Sequence, residues 1–443
     1  LTPTKAQFDF LTASLFARIL DSETPQYVSR ERIMKRLMMV IFVALALTIP
    51  GWADNADLSP HEAYGRIFSC DEKQVGQYFA ADFLNVIPAE KIIEIRKIYV
   101  DTLGKYKEAR STDSGYRLIF EKGEADSKIK INADNKVSTL WFGAPEFTSD
   151  TFEAVKSELK KLAGDVSICL LQHDTTKEAA KEIFVLNPDK ALGCGSAFKL
   201  YLLKALEDSI NKGERSWSDI IELREEWRSF PSGLLQEWPA GSRHTLETLA
   251  GLMISVSDNT ATDHIYHLIG VDKLRSYFPA SCADLYNTSQ VLKLKFFFPA
   301  DAEKYLKADA AGKKAVLDAM DAIKPSEIAS LSAIYQIDEP VLVEEIEWFI
   351  STRELCNVIY SLRDSRLIRI NPATGLVDKK DWHIAGFKGG SEPGVLNYTW
   401  LLQKTPESPF YTLSCTIVNS QKAVDSDAFN TLASRLLKLT AAL

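Results

Sequence analysis

The sequence has no dense Lys or Arg tract, and its 52 basic residues are outnumbered by 60 acidic ones, for a formal net charge of -8. A nucleic-acid surface needs a concentrated basic footprint, so that class is excluded and no nucleic-acid partner is expected. None of the six cysteines, Cys70, Cys169, Cys194, Cys282, Cys356 and Cys415, stands in a C-x-x-C pair. Zinc-ribbon and thioredoxin-type readings lose their ligand spacing, and the pairing of scattered cysteines cannot be read from sequence. Internal repeats and low-complexity segments are also lacking. No G-x-S-x-G accompanies the histidines, so a Ser-His-Asp hydrolase has no motif here. His264 and His267 stand three apart without a visible third ligand, and a polar helix face explains them better than a metal; no metal or cofactor is expected.

An address is present near the start. Met34 is followed by Lys35 and Arg36, an uncharged apolar run from Leu37 to Ile49, and Gly51-Trp52-Ala53 before Asp54. Charged start, short apolar middle and small residues at the cut make a secretory signal peptide, and the run falls short of the roughly 20 residues a bilayer span needs. A membrane anchor or a buried helix is the competing reading. Residues 1–33 are read as an upstream segment and 34–53 as the signal peptide, cut after Ala53. A periplasmic or secreted protein with no stable membrane span follows.

The remaining chain reads as two domains. In 54–163, "AEKIIEIRKIYVDTLGKY" repeats apolar residues at helical spacing, while "YRLIFEKG" and "SKIKINADNKVSTLWFG" suit strands joined by a tight Asn-Ala-Asp-Asn turn. This is a small α+β domain. In 164–443, "DVSICLLQHD" and "KEIFVLNP" form a hairpin, a helical block fills most of 196–365, and "WHIAGFKGG", "LNYTWLLQK" and "FYTLSCTIVN" return to strands before the helix "DAFNTLASRLLKLTAAL". Strands at both ends of a helical block imply one antiparallel sheet assembled from both ends of the domain.

Within "CGSAFKLYLL", Ser196 and Lys199 lie one helical turn apart where an apolar run begins. Such a spacing is weak alone, since Ser127…Lys130, Ser157…Lys160 and Ser209…Lys212 repeat it. The setting separates Ser196: Gly195 precedes it and a strong helix follows, which puts the serine at the positive end of the helix dipole with the lysine on the same face. A buried lysine loses proton affinity and can serve as a base. A serine N-cap beside a solvated lysine is the alternative. Ser257-Asp258-Asn259 follows the helical run "LETLAGLMISV", and Lys388-Gly389-Gly390-Ser391 follows "HIAGF". Taken singly, these are an Asx-type cap and a solvated strand end.

Together, in this order and spacing, "GSAFKLYLL", "MISVSDNTATDHIYHLIG" and "FKGGSEPGVLNYTWLL" resemble the signature of penicillin-recognising serine hydrolases, the class A β-lactamases and penicillin-binding proteins, across most of 164–443. The resemblance implies a β-lactamase/transpeptidase-like domain, an antiparallel sheet with helices on both faces plus an all-helical subdomain. It implies Ser196 as nucleophile, Lys199 as base and Ser257 as proton donor to the leaving group. It further implies that Asn259, Lys388, Gly390 and Ser391 bind substrate, with the backbone N–H groups of Ser196 and Ser391 as oxyanion hole. The partner is then a small molecule, a β-lactam or related ester or amide.

The pattern also breaks. Class A enzymes carry a deacylating Glu in E-x-x-x-N, and none lies between Asn259 and Lys388. That stretch holds an insertion, "LKLKFFFPADAEKYLKADAAGKKAVLDAM", read as extra helix; Glu339, Glu344, Glu345 and Glu347 cluster later at a different spacing, where solvated charges explain them as well. Gly389 replaces a hydroxyl residue in the third motif. With the N-terminal domain, these departures resemble two-domain proteins carrying a cystatin- or NTF2-like α+β module before a β-lactamase-like domain. Three functions follow: β-lactam hydrolysis, the same chemistry as an esterase or slow-deacylating penicillin-binding protein, and non-catalytic binding. Tyr398 and Trp400, two apart beyond Lys388, are read as packing residues before pocket residues.

Overall fold

The structure, a computed structural model, describes residues 58–443 apart from 72, 144, 149, 175–178, 329–330, 374 and 378, so the expected upstream segment and signal peptide lie outside the described residues. The chain divides between residues 148 and 149 into two compact units. No helix of the described residues is long and apolar enough to cross a membrane.

The first unit begins with helices α1 (Pro60–Ser69), α2 (Ala81–Val86) and α3 (Ala89–Leu103). Ser59 starts α1 because its hydroxyl accepts from Glu62 N while Glu62 accepts from Ser59 N, which satisfies two orphan donors with one pair. An antiparallel sheet follows: β1 (Tyr106–Thr112), β2 (Gly115–Phe120), β3 (Gly123–Ile131) and β4 (Val137–Phe142) in that order, with β5 (Glu146–Phe147) also on β3. The expected Asn-Ala-Asp-Asn turn joins β3 to β4, with Asn132 Oδ1 accepting from Asp134 N and Lys136 N. Sequence reasoning missed β1, whose side chains are mostly exposed and so carry no apolar alternation.

The second unit begins earlier than expected, because α4 (Phe152–Leu159) packs Val155 and Leu159 among residues of the C-terminal helix α13 (Ser426–Ala441). Arg435 of that helix pairs with Asp150 and Glu158 at 2.7 and 3.0 Å. The correction moves the boundary from 163/164 to 148/149. The central sheet runs β12-β13-β14-β6-β7, built from β6 (Asp165–His173), β7 (Lys181–Leu186), β12 (Ile384–Glu392), β13 (Val395–Gln403) and β14 (Phe410–Val418), each neighbouring pair antiparallel. Alternation sorts its residues: Leu170, Trp400, Leu413 and Ile417 join Phe429 and Leu436 of α13, whereas Leu401 and Phe410 join the helical block.

That block contains α5 (Lys199–Asn211), α6 (Leu246–Ser255), α7 (Asn259–Ile269), α8 (Val271–Arg275), α9 (Thr288–Leu292), α10 (Pro299–Lys307), α11 (Ala310–Ala322) and α12 (Thr352–Ser361). Short strands interrupt it: β8 (Leu192–Gly193) pairs with β11 (Phe349–Ile350), and β9 (Ile220–Glu222) with β10 (Arg243–Thr245). The inserted segment is helical as expected, a π turn (Lys293–Phe297) followed by α10 and α11. Helix α5 has buried residues around its whole girth, among them Leu200, Leu202, Leu203 and Leu206, so it is the core helix of the block.

Candidate active site

Ser196 lies in a 3-10 turn, Gly195–Phe198, that leads into α5; Phe198, not the serine, occupies the helix cap. Gly195 takes φ +50, a left-handed conformation that a side chain disfavours. The serine is half-buried, and its Oγ has no hydrogen-bond partner among the described residues.

Lys199 is fully buried because the central helix that carries it is enclosed on every side. Its ammonium meets no carboxylate among its hydrogen-bond partners: Nζ donates to Ser257 O at 2.7 Å, Asn259 Oδ1 at 2.7 Å and Ser257 Oγ at 3.1 Å. Burial, and then the charge of Lys388, push its pKa well below that of an ordinary lysine. The solvated-lysine alternative is thereby overturned.

Ser257, Asp258 and Asn259 form the turn between α6 and α7. Ser257 has φ +59, uncommon for a residue with a side chain, and its carbonyl is fastened by Lys199. Asp258 is indeed a helix cap, accepting from Ala261 N, but its second oxygen accepts from Leu234 N and Leu235 N and so anchors the preceding loop. Asn259 fixes the same loop, with Nδ2 donating to Phe230 O at 2.7 Å and its backbone N to Ser232 O.

Strand β12 closes the opposite wall. Lys388 is buried, and its Nζ donates to Ser257 Oγ at 3.1 Å and to Gly389 O at 2.5 Å. Ser257 Oγ therefore bridges the two lysines. Burial brings Lys388 down to about 7. Gly390 runs against the Ser196 turn so closely that a Cβ there would lie 2.1 Å from Cys194 O and 2.4 Å from Ser196 N. The neighbouring Ser391 is exposed, and its backbone N comes within 3.1 Å of where a Gly195 side chain would begin.

The seven residues singled out from sequence thus occupy one locality, the ends of α5, α7 and β12 with the turn before α7. Tyr398 and Trp400 do not join it: in register, Thr399 faces with Lys388, while Tyr398 and Trp400 pack beside Phe387 on the α13 face. Glu347, read as a solvated charge, is buried; its Oε2 accepts from Gly195 N and Trp348 N, both at 3.1 Å. Lys295 of the π turn lies between Glu347 and Glu392, 3.5 Å from Glu347 Oε1 and in closer contact with Glu392. No motif marked these three, because they come from separate segments that only the fold joins. His264 uses both ring nitrogens on Arg224 N and Thr260 O, and His267 stacks on Trp227. The six cysteines are unpaired, and all but Cys70 are buried. A surface cleft of about 210 Å³ lined by Leu206, Arg215, Leu268 and Lys273 holds none of the site residues.

Residues 150–330 match the family described as the beta-lactamase enzyme family. Among solved structures, a beta-lactamase from Sphaerobacter thermophilus is 19% identical, covering 66% of this chain and 97% of the other, with a TM-score of 0.44. A beta-lactamase from Desulfarculus baarsii is 15% identical, covering 67% of this chain and 100% of the other, with a TM-score of 0.45. A mutant of PBP-A, solved as its acyl-enzyme complex with penicillin G, is 15% identical, covering 66% and 96%, with a TM-score of 0.40. No curated protein matches the chain.

Proposed function

We propose, from the match of residues 150–330 to the beta-lactamase enzyme family and from the site geometry, that the chain is a serine hydrolase opening β-lactam amides through an acyl-enzyme on Ser196. The observation that carries this reading is a fully buried lysine with oxygen partners but no carboxylate, one turn from a serine hydroxyl left free of protein hydrogen bonds. A lysine in that setting favours its neutral amine, which is the form a base requires.

In the proposed reaction, the Lys199 amine takes the Ser196 proton as Oγ bonds to the carbonyl carbon. The negative charge that develops on the carbonyl oxygen falls to the N–H groups of Ser196 and Ser391. When the carbon–nitrogen bond breaks, Ser257 gives its proton to the departing nitrogen and recovers one from the Lys199 ammonium; the 3.1 Å contact between Lys199 Nζ and Ser257 Oγ suits that relay. Lys388, on the other side of Ser257, supplies a cation for a substrate carboxylate, and Asn259 holds Lys199 and the acyl side chain.

A second reading, in which the acyl-enzyme persists and the natural substrate is another ester or amide, is favoured by the carboxylates nearest the site. Asp258 is occupied by Ala261 N, Leu234 N and Leu235 N, and Glu347 by Gly195 N, Trp348 N and Lys295. Each oxygen of both groups already accepts from a protein donor, which disfavours either carboxylate as the base that activates water. Turnover of a chromogenic cephalosporin, with intact mass followed over time, separates the two: repeated turnover supports hydrolysis, a lasting adduct supports the second reading, and equal behaviour of Ser196→Ala contradicts both. A pure binding protein has no use for the buried base. Export belongs to the same reading, resting on the 34–53 segment. N-terminal sequencing of secreted protein that began before Met34 would refute it.

A further inference from the structure

The two backbone stretches that border Ser196, Gly195–Ser196 and Gly390–Ser391, come from opposite ends of the second unit and touch without a strand-type pairing between them. Each is linked to a charged group below the surface. On the serine side, Glu347 Oε2 accepts from Gly195 N at 3.1 Å, and Trp348 adds two restraints: its carbonyl accepts from Cys194 N at 3.1 Å, and its ring stacks on Phe198 at 3.8 Å. On the strand side, Glu392 follows Ser391 at the end of β12. Lys295 bridges the two carboxylates, with its side chain fully buried, that of Glu347 1% exposed and that of Glu392 18%.

Burial, against the attraction of Lys295, raises Glu392 to about 8. A cluster of ionisable groups buried this deeply loses hydration that its mutual attraction recovers only in good geometry, so replacing it by apolar side chains is often neutral for stability. Its location matters more. Gly195 sits at φ +50, and the direction of the next N–H, that of Ser196, follows from how the Gly195 peptide is held. The carboxylate that accepts Gly195 N–H holds this peptide, and the ammonium beyond it ties that carboxylate to the strand that carries Ser391. Lys295 reaches inward from a π turn, a local widening of the helix that brings one side chain out of the regular register and recurs at functional sites.

We propose, resting on the acyl-transfer reading, that Glu347, Lys295 and Glu392 are positioning residues that hold the Ser196 and Ser391 N–H groups at the spacing of one oxyanion. They touch no substrate. Their effect appears where charge develops on the carbonyl oxygen and not in initial binding.

The test measures acylation at increasing penicillin concentration by intact mass, giving the limiting rate constant and the apparent dissociation constant separately, and repeats it with a small fluorophosphonate, a general serine reagent. Glu347→Leu removes the acceptor and the charge, and Glu392→Gln removes the titratable carboxyl at the less buried end; melting temperature establishes that each is folded. The expected result is a limiting rate about 100-fold lower in Glu347→Leu, the scale of losing one oxyanion donor, with the dissociation constant unchanged. Glu347→Gln, which keeps an oxygen for Gly195 N–H, recovers part of the rate, and Glu392→Gln shows a smaller loss of the same kind. Phenylboronic acid, whose tetrahedral adduct places an oxygen in the same hole, weakens in parallel. Wild-type rates in folded Glu347→Leu, or a loss confined to the dissociation constant, overturn the proposal. Should Glu347→Leu fail to fold, Glu347→Gln and Glu392→Gln decide alone, and wild-type rates in both overturn it. Wild-type labelling by fluorophosphonate but not penicillin removes the β-lactam reading alone, with the positioning read from the fluorophosphonate rates. Labelling by neither reagent overturns both.

Discussion

At the scale of single residues, the site turns on two buried lysines that share one serine. Lys199 and Lys388 both reach Ser257 Oγ at 3.1 Å, yet they have different surroundings and so different uses. Lys199, well below its ordinary pKa, is the proposed base, and on that proposal Lys199→Ala slows acylation of Ser196 by about 100-fold or more, the usual worth of a general base. Undiminished labelling of the variant would remove that assignment. Lys388, brought to about 7 by burial, is a cation below that pH and loses its charge as pH rises through it. Because the acylation rate constant divided by the dissociation constant reports free-enzyme groups, this ratio for a carboxylate-bearing β-lactam should fall above about 7 by up to about tenfold per pH unit. A neutral ester should lack that fall, and so should Lys388→Gln with the β-lactam; identical profiles for carboxylated and neutral substrates would contradict the assignment. Ser196, Lys199, Ser257 and Lys388 were legible in the sequence because each sits in a short motif whose neighbours are fixed by one helix or one strand. Glu347 was not, since four glutamates between 339 and 347 read as a solvated patch and only β8–β11 pairing turns the last of them inward to Gly195.

At the scale of elements, the site depends on how closely β12 passes the turn before α5. Gly390→Ala would put a methyl carbon 2.4 Å from Ser196 N, so strand and turn must separate. The variant should remain folded and lose at least about 100-fold in acylation, as expected when an oxyanion donor is displaced; near wild-type labelling would mean that this approach does not matter. A second joint, between α4 and α13, belongs to stability alone. Arg435 and Asp150 are 5% and 8% exposed, and Asp150→Ala takes away the buried carboxylate that both guanidinium contacts at 2.7 Å use. Chemical denaturation should record a loss of about 3 kcal/mol, with Ser196 labelling unchanged before unfolding. The five strands of the second sheet were legible because alternating or continuous apolar runs announce them, whereas β8 to β11 were not. Those strands are two or three residues long, too short to show a period, and β8 finds its partner β11 only across the helical block. The boundary between units was misplaced for a related reason. Nothing local in "TFEAVKSELKKL" says that its partner is the final helix.

At the scale of the whole molecule, one sheet is closed by segments from the start and the end of the second unit, and the helical block between them carries Lys199 and Ser257. That arrangement gathers side chains nearly two hundred residues apart, Ser196 to Ser391, into one locality. It explains why three short motifs could be read without knowing the intervening chain, and why the groups that tie them together could not. The insertion between Asn259 and Lys388 does more than lengthen the chain, since its π turn delivers Lys295 to the two glutamates. The most direct measurement of the central claim is peptide mapping of the protein after exposure to penicillin, with Ser196→Ala and Lys199→Ala treated alongside. The account expects an acyl adduct on the peptide containing Ser196 in the wild type and no appreciable adduct in either variant. An adduct on a different residue, or equal labelling of all three proteins, would contradict it.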